Sequence, residues 1–205
     1  MTIYYTPHIY DVRSFEEAQH AIISPERWGP ETEYLAENIG KLLKPTKDTV
    51  ILDYGCGVGR LAKPLIERYG CKVIGTEISA SMMRMAREYV DSDRFKVVLP
   101  QELQAASSYG PVADHALAVW VLQHCPGVEQ EIERIKLSIK EGGYLYVVNN
   151  AGMLIPTNKG WADDGRNVRQ MLQDNFTEID NWDLPVGPEE IRVRSFVSLF
   201  CNGEK

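Results

Sequence analysis

The 205-residue chain lacks the features that would mark several protein classes. Its four cysteines, Cys56, Cys71, Cys125 and Cys201, stand far apart with no CxxC pair. That spacing excludes the usual zinc-ligand pattern and a dense disulfide framework, and it implies free thiols in a reducing cytoplasm. No apolar run nears the ~18 residues of a membrane span. The opening stretch MTIYYTPHIYDV has neither the basic flank nor the apolar centre of a secretory signal. Positive charge is scarce as well: 22 Lys and Arg against 29 Asp and Glu give a formal net charge of -7. Nucleic acid and anionic membranes need a basic footprint and are disfavoured as partners. No repeat, low-complexity block or Pro/Gly/Ser-rich linker divides the chain, and no metal site is apparent.

What remains is ordinary globular material, 44% hydrophobic and 25% charged, enough for one domain with short additions. Residues 1–24 read as an irregular or helical arm rich in aromatics, with Tyr4, Tyr5, Tyr10 and Phe15 beside His8. The domain itself is expected over 25–205. It opens on a helix from Pro25, with Ser24 as cap, Tyr34, Leu35, Ile39, Leu42 and Leu43 at helical spacing, and Pro45 as the stop. Strands are then expected at Thr49 to Tyr54, Lys72 to Gly75, Phe95 to Leu99, His115 to Val121 and Tyr144 to Asn149. Helices at Arg60 to Tyr69, Ser81 to Val90 and Val128 to Ile139 fall between them.

That alternation predicts an α/β fold with a parallel sheet covered on both faces. The apolar run at His115 to Val121 fits a strand buried on both sides. After a helix at Gly165 to Asp174, strands at Phe176 to Trp182 and Val193 to Phe200 lie too close for a helical crossover and read as a hairpin. The expectation is a Rossmann-like, doubly wound, seven-stranded sheet: five parallel strands plus a C-terminal antiparallel hairpin.

The first strand ends in DYGCGVGR, with Gly55, Gly57 and Gly59 at alternate positions before the next helix. Glycines at a strand-to-helix turn allow unusual dihedrals and close approach of a ligand, and the helix start presents free amides to the same space. A dinucleotide would prefer G-x-G-x-x-G, whose amides accept a pyrophosphate. Here Asp53 precedes the glycines. A carboxylate repels a pyrophosphate and suits the positively charged amino end of S-adenosyl-L-methionine. Glu77, just past the second strand, is placed to accept both hydroxyls of an adenosine ribose.

With these residues the chain resembles the class I S-adenosylmethionine-dependent methyltransferases of the small-molecule type. The motifs are VILDYGCGVGR, VIGTEISASMMRMARE, ADHALAVWVLQHC and EGGYLYVVNN. The resemblance implies that Asp53 and the backbone at Gly55, Cys56 and Gly57, within the loop closed by Gly59, hold the methionine part of the cofactor. It implies that Glu77 binds the ribose, that Ile78 and Met82 flank the adenine, and that Val119 and Trp120 lie near the transferable methyl. Many relatives carry an acid just after the third strand for the adenine amino group. Here Leu99-Pro100-Gln101-Glu102 stands there, so Gln101, Glu102 or backbone alone takes that place.

Methyl transfer asks mainly for alignment, and for a base only when the acceptor must lose a proton. His124, just beyond Trp120, is the candidate base; its plainer reading is a framework residue opening the next helix. His115 reads as structural. The arm is either a lid or packing, and Asn149, Asn150 and the loop 151–164 offer a second pocket wall. Trp28 and Trp161 read as packing, and Asp163-Asp164 as a solvated pair. The expected protein is a cytoplasmic monomer or homodimer that methylates a small metabolite and releases S-adenosylhomocysteine. The competing class is a non-catalytic S-adenosylmethionine-binding regulatory or scaffold protein.

Overall fold

The computed structural model describes residues 2–6 and 10–203; His8 of the arm lies outside them. The arm contains helix α1, Phe15–Ile22, whose start is capped by the Ser14 hydroxyl accepting from the Glu17 amide at 3.2 Å. Helix α2 runs Pro25–Leu43 and ends on Lys44 in the left-handed conformation, just before Pro45. Ser24 caps it differently from the expectation. Its backbone carbonyl takes the amides of Arg27 and Trp28, while its side chain makes no capping bond.

The main sheet is built from β1 Val50–Tyr54, β2 Lys72–Thr76, β3 Phe95–Val98, β4 His115–Val119 and β5 Gly143–Asn150. Between them lie α3 Ala62–Tyr69, α4 Ala80–Val90, α5 Pro100–Ser107 and α6 Val128–Ser138. Two short strands follow, β6 Ile155–Thr157 and β7 Gly160–Ala162, then α7 Val168–Asn175, β8 Thr177–Trp182, the single turn α8 Glu189–Arg192 and β9 Ser195–Asn202. The order in the seven-stranded sheet is β3-β2-β1-β4-β5-β9-β8. The first five strands are parallel, β9 runs antiparallel to β5, and β8 antiparallel to β9. This is the expected fold, hairpin included. The strand order reverses between β1 and β4, so a crevice opens at their carboxyl ends.

The alternation along β4 explains its continuous apolar reading. Ala116 and Ala118 face one core with Leu52, Ile132, Ile135 and Leu172, while Leu117 and Val119 face the other with Ile51, Leu35, Ile39 and Leu65. Strand β4 is shorter than expected. Trp120 sits in the left-handed region (φ 59), which ends the strand and starts a 3₁₀ turn at Leu122–His124. A β strand cannot continue through that dihedral. Helix α3 likewise begins at Ala62 rather than Arg60, because the glycine turn extends further.

Several elements were not anticipated, among them the single turn α8, helix α5 and a second hairpin. Helix α5 occupies the segment after β3, and its Glu102 carboxylate accepts the Leu99 amide at 2.7 Å, holding the helix start. The loop 151–164 folds into the β6/β7 hairpin, and the arm lies along it: Tyr5 bridges Thr157, and the Thr6 amide donates to the Pro156 carbonyl at 3.0 Å. Among the described residues no helix is long and apolar enough to cross a membrane.

Gly143, the first residue of β5, has no space for a side chain. A Cβ there would stand 2.3 Å from the Asp114 carbonyl oxygen and 2.8 Å from that of Lys140. Both neighbours are backbone and cannot rotate away. Gly143→Ala is expected to cost about 1–3 kcal/mol, seen as a lower urea midpoint with an unchanged slope.

Candidate cofactor site

A cavity of about 360 Å³ opens at the carboxyl ends of β1, β2 and β4. It gathers residues far apart in the chain: Asp53, Gly55, Cys56, Gly57, Glu77, Ile78, Met82, Gln101, Val119, Trp120 and His124 all line it. Gly59 and Glu102 do not. A Cβ on Gly59 (φ 79) would press on Val90 of α4 at 2.4 Å, so that glycine serves the packing of the turn against α4. Glu102 is spent on the start of α5.

The turn after β1 needs glycine for two reasons. Gly55 (φ 71) and Gly57 (φ 56) lie in the left-handed region, and Cβ atoms there would meet Val121 Cγ2 at 2.3 Å and Ile22 Cδ1 at 2.7 Å. The turn is tied to β2 and the segment after it. The Gly55 amide donates to Thr76 Oγ1 at 3.2 Å, the Cys56 amide to the Thr76 carbonyl at 2.9 Å, and the Gly57 amide to Glu77 Oε2 at 3.1 Å. Glu77 is thereby fixed. Its Oε1 also accepts from the amides of Ile78 at 2.8 Å and Ser79 at 2.9 Å. Burial pushes its pKa up, and the three amides pull against that. Each carboxylate oxygen offers two acceptor positions, so Oε2 retains one.

Asp53 is the unusual group. It is 3% exposed, and its Oδ2 has no hydrogen-bond partner. Burial pushes its carboxyl up to about 7, against the positive charge of Arg60 and with the negative charge of Glu77. Asp53 lines the cavity, and a buried carboxylate oxygen without a partner lacks a donor, which a cationic one satisfies best. An ammonium meets that demand and a pyrophosphate does not. The residues present therefore fit the amino end of S-adenosylmethionine, with one acceptor position of Glu77 Oε2 left for a ribose hydroxyl rather than the two hydroxyls expected from the sequence.

The rim is aromatic. Tyr5 and Tyr10 of the arm reach the cavity, as does Ile22 of α1. The Tyr10 hydroxyl is buried without a partner, and burial raises the pKa of both phenols, Tyr5 to about 12. His124 is fixed through both nitrogens. Its Nδ1 lies 2.7 Å from the Leu154 carbonyl and its Nε2 lies 3.1 Å from Gln123 Nε2. A carbonyl only accepts, so Nδ1 carries the proton and Nε2 the lone pair. Burial lowers the His124 pKa and favours this neutral form. Trp161 leans on the His124 ring at 5.2 Å between centroids without lining the cavity.

Other expected contributors stand apart. Asn149 is buried and satisfied by the Gln123 amide and the Asn150 carbonyl, and neither asparagine walls the cavity. His115 accepts the Tyr144 amide at 3.0 Å, Trp28 packs under Arg60, and Asp164 pairs with Arg166. Sequence reasoning gave no site role to Arg60, to Glu31, or to the Tyr54–Glu131–Arg134 cluster at the far end of the cavity. The one signal for Arg60 was its place directly after the third glycine.

Fold and site together define an α/β protein with a cavity at the carboxyl ends of its central strands, lined by a glycine turn and two buried acids. Comparison with known proteins adds a domain match. Residues 52–147 match the methyltransferase domain family. The chain is 28% identical over 122 residues to a ubiquinone biosynthesis O-methyltransferase of Chelativorans sp., covering 56% of this chain and 48% of that protein. It is 32% identical over 131 residues to a trans-aconitate 2-methyltransferase of Rhodopseudomonas palustris, covering 63% and 47% respectively. A 1,6-didemethyltoxoflavin-N1-methyltransferase of Burkholderia thailandensis, solved with 1,6-didemethyltoxoflavin and S-adenosylhomocysteine bound, superposes with a TM-score of 0.62 at 18% identity over 84% of this chain and 78% of that one. Residues 52–147 thus carry a methyltransferase domain, in a fold shared with solved methyltransferases. The chain spans about half the length of the curated relatives it matches.

The raised carboxyl of Asp53 has a direct consequence for stability. Its folded pKa, about 7, lies above its ordinary value of 3.8, so folding favours the protonated form. Stability is full below pH ~4, declines as pH rises to ~7, and is level above that. Asp53→Asn is expected to flatten this decline and to stabilise the ligand-free protein at pH 8 by on the order of a few kcal/mol. Urea unfolding of both proteins from pH 4 to 8 checks it; parallel profiles would show an ordinary carboxyl.

Proposed function

We propose that the chain binds S-adenosyl-L-methionine in this cavity and transfers its methyl group to a small acceptor, releasing S-adenosylhomocysteine. The observation that carries the reading is the unpartnered oxygen of buried Asp53 beside the glycine turn, with Glu77 fixed across from it. Asp53 takes the amino group, and the turn at Gly55, Cys56 and Gly57 holds the methionine backbone. The open position on Glu77 Oε2 takes a ribose hydroxyl. Ile78 and Met82 line the adenine faces, and Gln101 stands at the adenine edge because Glu102 is engaged elsewhere. Val119 and Trp120 wall the methyl end. When bound, the sulfonium supplies an activated methyl group; the chain supplies alignment and exclusion of water.

The acceptor enters at the rim formed by Tyr5, Tyr10 and His124. Among the described residues, the two cations lining the cavity, Arg60 and Arg134, are both paired with carboxylates, and Asp53, Glu77 and Glu131 add negative charge. That field favours an uncharged acceptor over a polyanion. For a hydroxyl acceptor, His124 takes the proton at Nε2 once the acceptor displaces the Gln123 amide that donates to that lone pair. Free, largely buried thiols suit a reducing cytoplasm.

Calorimetry with S-adenosylmethionine tests the cofactor assignment. Glu77→Ala is expected to weaken binding by more than ~1 kcal/mol, the scale of a lost charged hydrogen bond; unchanged affinity would remove Glu77 from the ribose. With an acceptor in hand, His124→Ala is expected to lower kcat by ~10²-fold or more at unchanged cofactor affinity. Because burial lowers the His124 pKa, the parent's rate should hold through the ordinary imidazole range and fall only at more acidic pH, as the ring protonates. A variant as fast as the parent would make His124 a framework residue.

A further inference from the structure

Glu31 is wholly buried in α2 and does not line the cavity, yet it holds two residues that do. Its Oε1 accepts the Trp120 indole N–H at 2.7 Å and lies 3.5 Å from the Arg60 guanidinium. Its Oε2 accepts Nε and Nη2 of Arg27 at 3.1 and 2.7 Å. The Arg27 guanidinium also lies over the Trp120 ring, 5.4 Å from its centroid. Apart from Glu31, Arg60 has one hydrogen-bond partner, Thr32 Oγ1 at 3.3 Å, and its guanidinium lies 5.9 Å from the centroid of Trp28.

Arg60 and Asp53 of β1 line the same cavity, and Asp53 feels the charge of Arg60, while Glu31 on α2 holds the guanidinium. A buried guanidinium requires an anion, and removing one leaves it seeking the other. An Arg60–Asp53 pair would satisfy the oxygen that now lacks a partner and would fill the place for an ammonium. Resting on the cofactor reading above, we infer that Glu31 is a positioning residue: by docking Arg60 on α2 it keeps Asp53 open for the amino group of the cofactor. The same carboxylate anchors the Trp120 indole, whose backbone stands in the strained left-handed region at the end of β4.

The test uses the full chain, with and without S-adenosylhomocysteine. The charged groups acting on Asp53 are Arg60 and Glu77, and Glu77 is left unaltered throughout. In the ligand-free protein, the Asp53 carboxyl titration followed by carbon NMR should move down by about one pH unit or more in Glu31→Gln, as Arg60 swings across. It should return to the parent value or above in Glu31→Gln/Arg60→Gln. Calorimetric affinity for S-adenosylhomocysteine should fall ~10-fold or more in Glu31→Gln and recover to within about threefold in the double variant. Loss of packing alone would not be cured by a second polar substitution, so rescue separates positioning from structure.

An unmoved Asp53 titration in folded Glu31→Gln, or a double variant that fails to recover, would overturn the inference. If Glu31→Gln does not fold, Arg60→Gln decides, since Glu31 stays paired with Arg27. Retained affinity supports the inference, and a ~10-fold loss would mean that Arg60 grips the cofactor itself. If the parent binds no S-adenosylhomocysteine, the cofactor reading fails, and the Asp53 titration still decides the role of Glu31.

Discussion

A carboxylate taken out of water without a partner is costly, and the rest of the site is arranged around one. Asp53 is carried into the interior by β1, a central strand flanked by β2 and β4. Its position follows from the sheet, since the last residues of a central strand are buried on both faces. Its unpaired oxygen follows from the distribution of nearby charge: Arg60 is docked to Glu31, and Glu77 is engaged by three backbone amides. The protein pays desolvation at Asp53 that only a bound donor can offset. Sites poised in this way store stability that binding releases, and perturbed carboxyls cluster at functional clefts for that reason.

The cover over this carboxylate is assembled from separated parts of the chain. Residues 2–6 pair with β6, while the Tyr10 carbonyl accepts the Ser79 hydroxyl at 2.8 Å and the Val12 amide donates to Ser81 at 3.1 Å. The described parts of the arm thus contact the hairpin after β5 through residues 2–6 and the start of α4 through Tyr10 and Val12. Helix α1 continues the roof, with Ile22 resting over Gly57. The contacts at the hairpin end are backbone hydrogen bonds and exposed polar groups, with few buried side chains. Such contacts open at low cost compared with the core.

Much of this was legible in the sequence, and the exceptions have physical causes. Strand residues buried on both faces, such as Leu117 and Val147, read as apolar runs whatever their partners, so the sheet and its closing hairpin were recoverable. The glycine turn and the two acids were equally plain, because few chemistries need an acid before glycines and another past the next strand. Helix α5 was missed because PQELQAAS has a weak apolar stripe and buries only Pro100, Leu103 and Ser107. The end of β4 was set two residues too late because nothing local marks Trp120 for a left-handed dihedral; the indole's bond to Glu31, 89 positions away, accompanies it. Glu31 itself sits in an amphipathic helix where an acid reads as solvent-facing, and only tertiary packing buries it between two arginines. The pairing of the arm with β6 was not legible, since strand pairing at long range leaves no local signature.

The most direct test of the account is the number of protons exchanged when S-adenosylhomocysteine binds. Its amino group is fully protonated at pH 6.5, while Asp53 with its carboxyl near 7 is largely protonated in the ligand-free protein. Calorimetric titrations in two buffers of different ionisation enthalpy give the count. The account predicts saturable binding with release of a substantial fraction of one proton, lost in Asp53→Asn. Saturable binding without proton release, or no binding, would contradict it.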